Sequence, residues 1–227
     1  PVVGAPADRP THRRPHDCVM GPARGHDREH VARRALTGAV DLVGGRALGS
    51  VGGPSAVAPS TVTVVAVIRV ATADDGEAIR SIYMLEVETS KVTFDIVPRS
   101  LPEQRRWILD RSGAHAAIVA DRAGIVVGFG SLSPYKERAA YSTSVEDSVY
   151  VHRDHHGTGV GRLLLTELVD RATAHGFHAL FARIVAGHAA SIGLHTSLGF
   201  EVVGNEREVG RKFGTWLDVT VMAPILS

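Results

Sequence analysis

The alternation of apolar and polar positions changes period several times after residue 60, and each period predicts an element. TVTVVAVIRVAT is dense in β-branched residues and predicts a first strand centred on Val67–Ala71. In ADDGEAIRSIYMLEVETS, positions Ile79, Ile82, Tyr83 and Glu86 or Val87 fall at helical spacing, with Thr72 or Asp74 as N-cap. KVTFDIVPRS then reads as a crossover loop. Ser100 opens a second helix, because its hydroxyl and the Glu103 carboxylate can each satisfy the other's backbone N–H while Pro102 occupies the first turn. That helix is expected to run to about Arg111 and to stop at Gly113.

AHAAIVA and GIVVGFGSLSP predict two strands joined by a turn over Asp121, Arg122, Ala123 and Gly124, with the glycine placed for a positive φ. A strand over Val145–His152 leads into a helix over Gly161–His175, whose stripe is Leu164, Leu168, Val169 and Ala172. A strand over Phe177–Val185, a helix over Ala189–Leu198 stopped by Gly199, and short strands over Phe200–Val203 and Gly214–Pro224 complete the pattern. In the last strand Trp216, Asp218, Thr220 and Met222 alternate with Leu217, Val219 and Val221, and Trp216 reads as core. The order β-α-α-β-β-β-α-β-α-β-β mixes hairpins with β-α-β crossovers, which implies a mixed α/β sheet with helices on both faces.

Composition divides the chain. None of its 12 aromatic residues lies in residues 1–66, which hold seven of 11 prolines and nine of 24 glycines, with eight Arg against five acidic residues. Such a segment buries too little apolar area to offset its ordering entropy, so residues 1–60 are expected to be a disordered Pro/Gly/Arg-rich extension and 61–227 a folded domain. A short helix over Arg28–Val43 is compatible with it. Arg33 and Arg34 before Ala35–Val43 imitate a secretory signal, but the run starts too late and is broken by Asp41 and Arg46. The start at Pro1 fits a tag, a processed precursor or an upstream extension of a shorter frame. A formal net charge of +1 gives no argument for nucleic acid or a membrane, and a solvated tail is favoured over a nucleic-acid arm. A single cysteine, Cys18, excludes an internal disulfide and fits a reducing cytoplasm.

The chemistry concentrates in VEDSVYVHRDHHGTGVGRLLL, from Val145 to Leu165. Gly157, Gly159 and Gly161 alternate where strand gives way to helix, leaving backbone N–H groups uncovered beside the helix dipole, a setting for a phosphate or pyrophosphate. The spacing is not the G-x-G-x-x-G of a dinucleotide site. His152, His155 and His156 have no fixed carboxylate partner, so no metal is expected.

VYVHRDHHGTGVGRLLLTELVDRATAHGF and SIGLHTSLGFEVVG together resemble the GNAT acetyltransferases. VTFDIVP, PYKERAAYSTSVEDSVYV and VGRKFGTWLDVTVM narrow the resemblance to the phosphinothricin N-acetyltransferase branch, over about residues 67–225. It implies a GNAT-type, mostly antiparallel mixed sheet with a splayed central strand, acetyl-CoA as donor, a small amino acid or analogue as acceptor, and a homodimer. Methionine sulfone or sulfoximine as acceptor, a non-catalytic acyl-CoA sensor and a protein-modifying enzyme are the rival readings.

The resemblance also assigns roles. Val149, Tyr150 and Val151 would hold the pantetheine arm; Arg153, His156, Gly157, Thr158, Gly159, Val160, Gly161 and Arg162 the pyrophosphate; His188 and Ser191 would adjoin the arm. His156 stands where relatives carry Gln or Arg, and His188 where many carry Asn. Spacing alone favours a solvated or N–H-capping carboxylate for Glu146; the resemblance makes it the general base, with Asp147 on the other face the lesser candidate. The N–H of Val149 would polarise the thioester carbonyl, and His195 would stabilise the leaving thiolate unless it is a His packed under the sheet. Phe94, Tyr135, Lys136, Arg138, Tyr141, Lys212 and Phe213 would recognise the acceptor, with loop packing and solvation as the alternatives for the Tyr135–Tyr141 group.

Overall fold

The computed structural model describes residues 65–226, so the extension expected over 1–60 and the helix over Arg28–Val43 lie outside the described residues. The strands are β1 (Val67–Val70), β2 (Ile118–Arg122), β3 (Ile125–Pro134), β4 (Ser144–Val151), β5 (Ala179–Val185), β6 (Glu201–Lys212) and β7 (Thr215–Ala223). The helices are α1 (Gly76–Thr89), α2 (Leu101–Leu109), α3 (Val160–Ala174) and α4 (Ala189–Thr196). One sheet orders them β1-β2-β3-β4-β5-β7-β6, antiparallel at every pairing except the parallel β4–β5.

Local chemistry explains most boundaries. The reciprocal cap at α2 forms: Ser100 N–H donates to Glu103 Oε2 at 2.7 Å and Glu103 N–H to Ser100 Oγ at 3.4 Å. The helix ends two residues before Arg111, with Asp110 as C-cap. The β2–β3 turn tightens to Ala123 and Gly124, both at positive φ, and Asp121 Oδ1 accepts the Gly124 N–H at 2.7 Å.

Two apolar layers flank the sheet. On one face α3 buries Leu164, Leu165, Leu168 and Ala172 against Ile118, Leu132, Val145, Leu180 and Met222. Val169, expected in that stripe, sits at its margin while Leu165 takes the full contact. On the other face Ile79, Ile82, Tyr83 and Val87 of α1 meet Ile108, Val119 and Phe129. Full burial of such side chains contributes about 1.5–3 kcal/mol each.

Two expectations are corrected. The strand expected over Phe200–Val203 runs on to Lys212, because β6 is an edge strand whose polar NEREVGRK segment keeps the ladder through two irregularities. At the second, Glu208 takes a φ of 50° and its N–H is held by Asp218 Oδ1 at 2.7 Å. Trp216 is not core: it is exposed near the start of β7, with the Arg211 guanidinium over its ring at 5.5 Å, while Thr220 and Met222 further along the same face are buried, as are Leu217, Val219 and Val221 on the other.

Candidate active site

Strands β4 and β5 stay paired for only three positions, Ser144–Ala179, Val145–Leu180 and Glu146–Phe181. Beyond them β4 continues to Val151 along β3, while β5 turns to pair with β7 from Ala182 onward. The strands therefore open into a V, and the β5-facing edge of β4 past Glu146 has no strand partner. Unpaired backbone groups at such an edge need partners, and this edge is free to receive an extended ligand carrying amides. A cavity of about 600 Å³ fills the V.

Side-chain alternation along β4 divides this cavity. Glu146, Ser148 and Tyr150 point to the α1–α2 face, where the Tyr150 ring stacks on Phe129 at 5.2 Å and meets Tyr83 edge-on at 4.9 Å. Asp147, Val149 and Val151 point to the α3–α4 face. Glu146, Val149 and His195 all line the cavity, as do Tyr150, Val151, Arg153, His156, His188 and Ser191. Burial raises the Glu146 carboxyl above its ordinary value; the nearby Arg183 charge opposes this, and the charges of Asp147 and Glu206 add to it. Arg183 itself pairs with Glu206. It is the one charge in the apolar strand ALFARIV, a signal the sequence did carry.

His195 is buried in α4 with both ring nitrogens engaged. Nδ1 lies 2.7 Å from the Ser191 carbonyl oxygen and Nε2 lies 3.3 Å from Asp147 Oδ1. An N–H on each nitrogen satisfies both oxygens, which describes an imidazolium–carboxylate pair. Burial works against that charge, but Asp147 and the Ser191 carbonyl outweigh it and raise the His195 pKa. The second Asp147 oxygen, Oδ2, is buried without a partner. Asp147 is thus bound into the site through His195.

The glycine turn fits a phosphate-bearing ligand. Gly157 and Gly159 take φ of 71° and 84°, with open space where a Cβ would stand, and no side chain caps the α3 N-terminus. Gly161 is different: a Cβ there would come within 3.3 Å of Leu194, so its smallness lets α3 approach α4. The side chains around the turn are occupied. His156 Nε2 donates to the Val151 carbonyl at 2.9 Å, Thr158 to His155 O at 2.8 Å, and Arg162 to Ser197 Oγ at 2.8 Å. Arg153 reaches back to Glu86 at 2.8 Å, and Val160 is buried. Backbone donors rather than side chains are what this turn offers.

The residues expected to recognise the acceptor do not gather. Phe94 lines the cavity. Tyr135, Lys136 and Tyr141 form a separate cluster, with Tyr135 stacked on Phe181 at 4.0 Å and the Lys136 ammonium 4.6 Å from its ring. Arg138 and Phe213 are absent from the cavity wall, and Phe213 is exposed at the β6–β7 turn. Lys212 is buried: its Nζ donates to the carbonyls of Thr93 at 3.0 Å and Glu86 at 3.4 Å. It fastens the end of α1 and the following loop, whose Thr93, Phe94 and Asp95 face the cavity, instead of meeting a ligand. Lys212→Met therefore raises the acceptor KM about fivefold through a loosened wall, since a buried charge-assisted hydrogen bond contributes about 1.5–3 kcal/mol and only part reaches the site. Steady-state kinetics with each substrate varied in turn checks this; an equal rise in the acetyl-CoA KM would contradict it.

Residues 68–221 match the family model described as an acetyltransferase (GNAT) domain. The chain belongs to the GNAT acetyltransferases. An L-methionine sulfoximine/L-methionine sulfone acetyltransferase of Pseudomonas paraeruginosa is 40% identical over 157 residues, covering 68% of this chain and 91% of that one. A phosphinothricin N-acetyltransferase of Streptomyces coelicolor is 37% identical over 156 residues, covering 67% and 91%. A crystal structure of a GNAT superfamily phosphinothricin acetyltransferase from Sinorhizobium meliloti in complex with AcCoA superimposes with a TM-score of 0.68 at 38% identity, covering 72% of this chain and 89% of that one. This GNAT chain is accordingly an N-acetyltransferase with acetyl-CoA as donor. Among the described residues no group of three or more His, Cys, Asp or Glu is placed to hold a metal ion.

Proposed function

We propose that this GNAT enzyme acetylates the α-amine of a small amino acid or analogue, with L-methionine sulfone and phosphinothricin as leading acceptors. The observation that carries this reading is the half-buried Glu146 carboxylate at the apex of the V, on the α1–α2 face, beside a cavity of about 600 Å³. A cavity of that size suits a small acceptor together with the end of the donor arm. The relatives that act on L-methionine sulfone and on phosphinothricin support the choice.

Acetyl-CoA supplies a thioester; the residues of this chain bind, orient and move protons. The free edge of β4 at Val149, Tyr150 and Val151 would hold the pantetheine arm, and the turn Arg153–Gly161 would take the pyrophosphate on its backbone N–H groups. Glu146 accepts the proton of the attacking amine, which burial favours by raising its basicity. The Val149 N–H polarises the carbonyl. His195, whose Nε2 contact with Asp147 is long at 3.3 Å, would give its Nε2 proton to the departing sulfur. His188 and Ser191 complete the wall around the arm.

A cytoplasmic homodimer belongs to the same proposal. Exposed Val202, Val203, Val209 and Trp216 on the edge formed by β6 and β7 support the dimer. No helix among the described residues is long and apolar enough to cross a membrane.

Thiol release from acetyl-CoA over a panel of amines tests the acceptor. Turnover is expected with L-methionine sulfone and phosphinothricin and should fall off for polyamines and peptides. Turnover confined to peptides or basic proteins would overturn the reading.

A further inference from the structure

A second cavity, of about 100 Å³, adjoins the first on the α1–α2 face and shares Tyr83, Ser148 and Tyr150 with it. Its other walls include two guanidinium groups, Arg99 and Arg111, and the hydroxyls of Ser131 and Ser133. Ser131 is the cross-strand partner of Ser148, and Ser133 that of Glu146. The chamber therefore reaches the cross-strand partner of the carboxylate assigned to take the amine proton.

Its charges are arranged for an anion. Arg111 lies over the Trp107 ring at 4.0 Å and its Nη2 donates to Ser133 Oγ at 3.2 Å. Its Nε is buried without a partner, and it makes no ion pair among the described residues. Arg99 holds Asp95 at 2.9 Å and shares the Trp107 face at 5.6 Å. Two cations with one carboxylate leave a surplus of positive charge in a half-buried space. Burial, and then the charge of Arg99, lowers the Arg111 pKa. An oxyanion would relieve both, and guanidinium forks with nearby hydroxyls match a carboxylate.

We infer that the Arg99–Arg111 chamber, floored by Ser131, Ser133 and Ser148, binds the α-carboxylate of the acceptor and so selects α-amino acids over simple amines. The inference rests on the proposed amino acid acceptor. The volume admits a carboxylate and excludes an amino acid with its side chain, so the side chain stays in the larger cavity beside Phe94. An α-amine two bonds from a carboxylate held there lies toward Glu146, on the same face of β3 and β4. Neither arginine was singled out by the sequence, because one sits in the loop before α2 and the other just past its end.

The test compares L-methionine sulfone with its decarboxylated analogue, 3-(methylsulfonyl)propylamine. Wild-type enzyme is expected to prefer the amino acid in kcat/KM. Arg111→Gln should reduce that preference about ten- to hundredfold, the range for a lost charge-assisted hydrogen bond, and Arg111→Lys should restore part of it. An unchanged preference in Arg111→Gln overturns the inference. So does a wild-type enzyme that acetylates the amine as well as the amino acid, although that result leaves the acetyltransferase itself intact. If wild type turns over neither compound, the acceptor reading fails separately, and binding is read directly. In Trp216→Phe enzyme, the fluorescence of Trp107 should respond to L-methionine sulfone, and the further Arg111→Gln change should abolish the response. A response that survives Arg111→Gln, or none in Trp216→Phe, overturns the inference.

Discussion

Glu146→Gln is expected to lower kcat about 10²–10⁴-fold with little change in the acetyl-CoA KM, the range over which a positioned general base acts. Glutamine keeps the size and loses the basicity, so the effect separates proton transfer from packing. Burial raises the Glu146 pKa, the Arg183 charge opposing and the charges of Asp147 and Glu206 assisting. A base must be ionised to act, so the acid limb of the wild-type kcat profile should lie above the ordinary glutamate value of about 4.3. Activity is lost as pH falls through that raised value. In Glu146→Gln the limb should disappear; a variant that keeps both the limb and the rate would remove Glu146 from the mechanism.

Asp147→Asn should destabilise the fold by about 3 kcal/mol, because it leaves the buried His195 imidazole without its counter-charge. For a domain of this size that lowers Tm by roughly 6–12 °C. Both partners are almost wholly buried, at 4% side-chain exposure each. The direction with pH follows from His195. Its pKa is raised in the fold, so the pair's contribution is complete below the unfolded value of about 6.5 and fades as pH rises through the folded value. The stability gap between wild type and Asp147→Asn should therefore be widest near pH 6 and narrow at higher pH. Urea unfolding at several pH values measures it; a gap constant with pH would mean that packing, not charge, explains the loss.

Side chains far from the chemistry hold these groups in place. Lys212 ties the cavity wall to β6, and Gly210 leaves room for the Phe94 ring, which would sit 2.0 Å from a Cβ at that position. The wall proposed to meet the acceptor is thus built from three distant segments: the loop after α1, the end of β6, and the stretch of β3 and β4 that carries the serines.

The sequence by itself determined what short-range forces determine. The reciprocal cap at Ser100, the glycine stops, the helical stripe of α3 and the uncapped turn before it all depend on residues a few positions apart. Element order and the placement of Glu146 on the strand entering that turn were legible for the same reason. The period of β7 was legible too, but period two does not say where along a face its cover ends: Met222 is buried on the same face that leaves Trp216 exposed. The length of β6 was hidden, since an edge strand with two bulges needs no apolar alternation. Tertiary structure alone decided the rest. It parts β4 from β5 after three residue pairs, joins His195 to Asp147 across 48 positions, seals Lys212 under the loop, and brings Arg111 to Ser133. Those contacts are set by how helices pack on a twisted sheet, and burial then fixes the partner and charge state of each polar group.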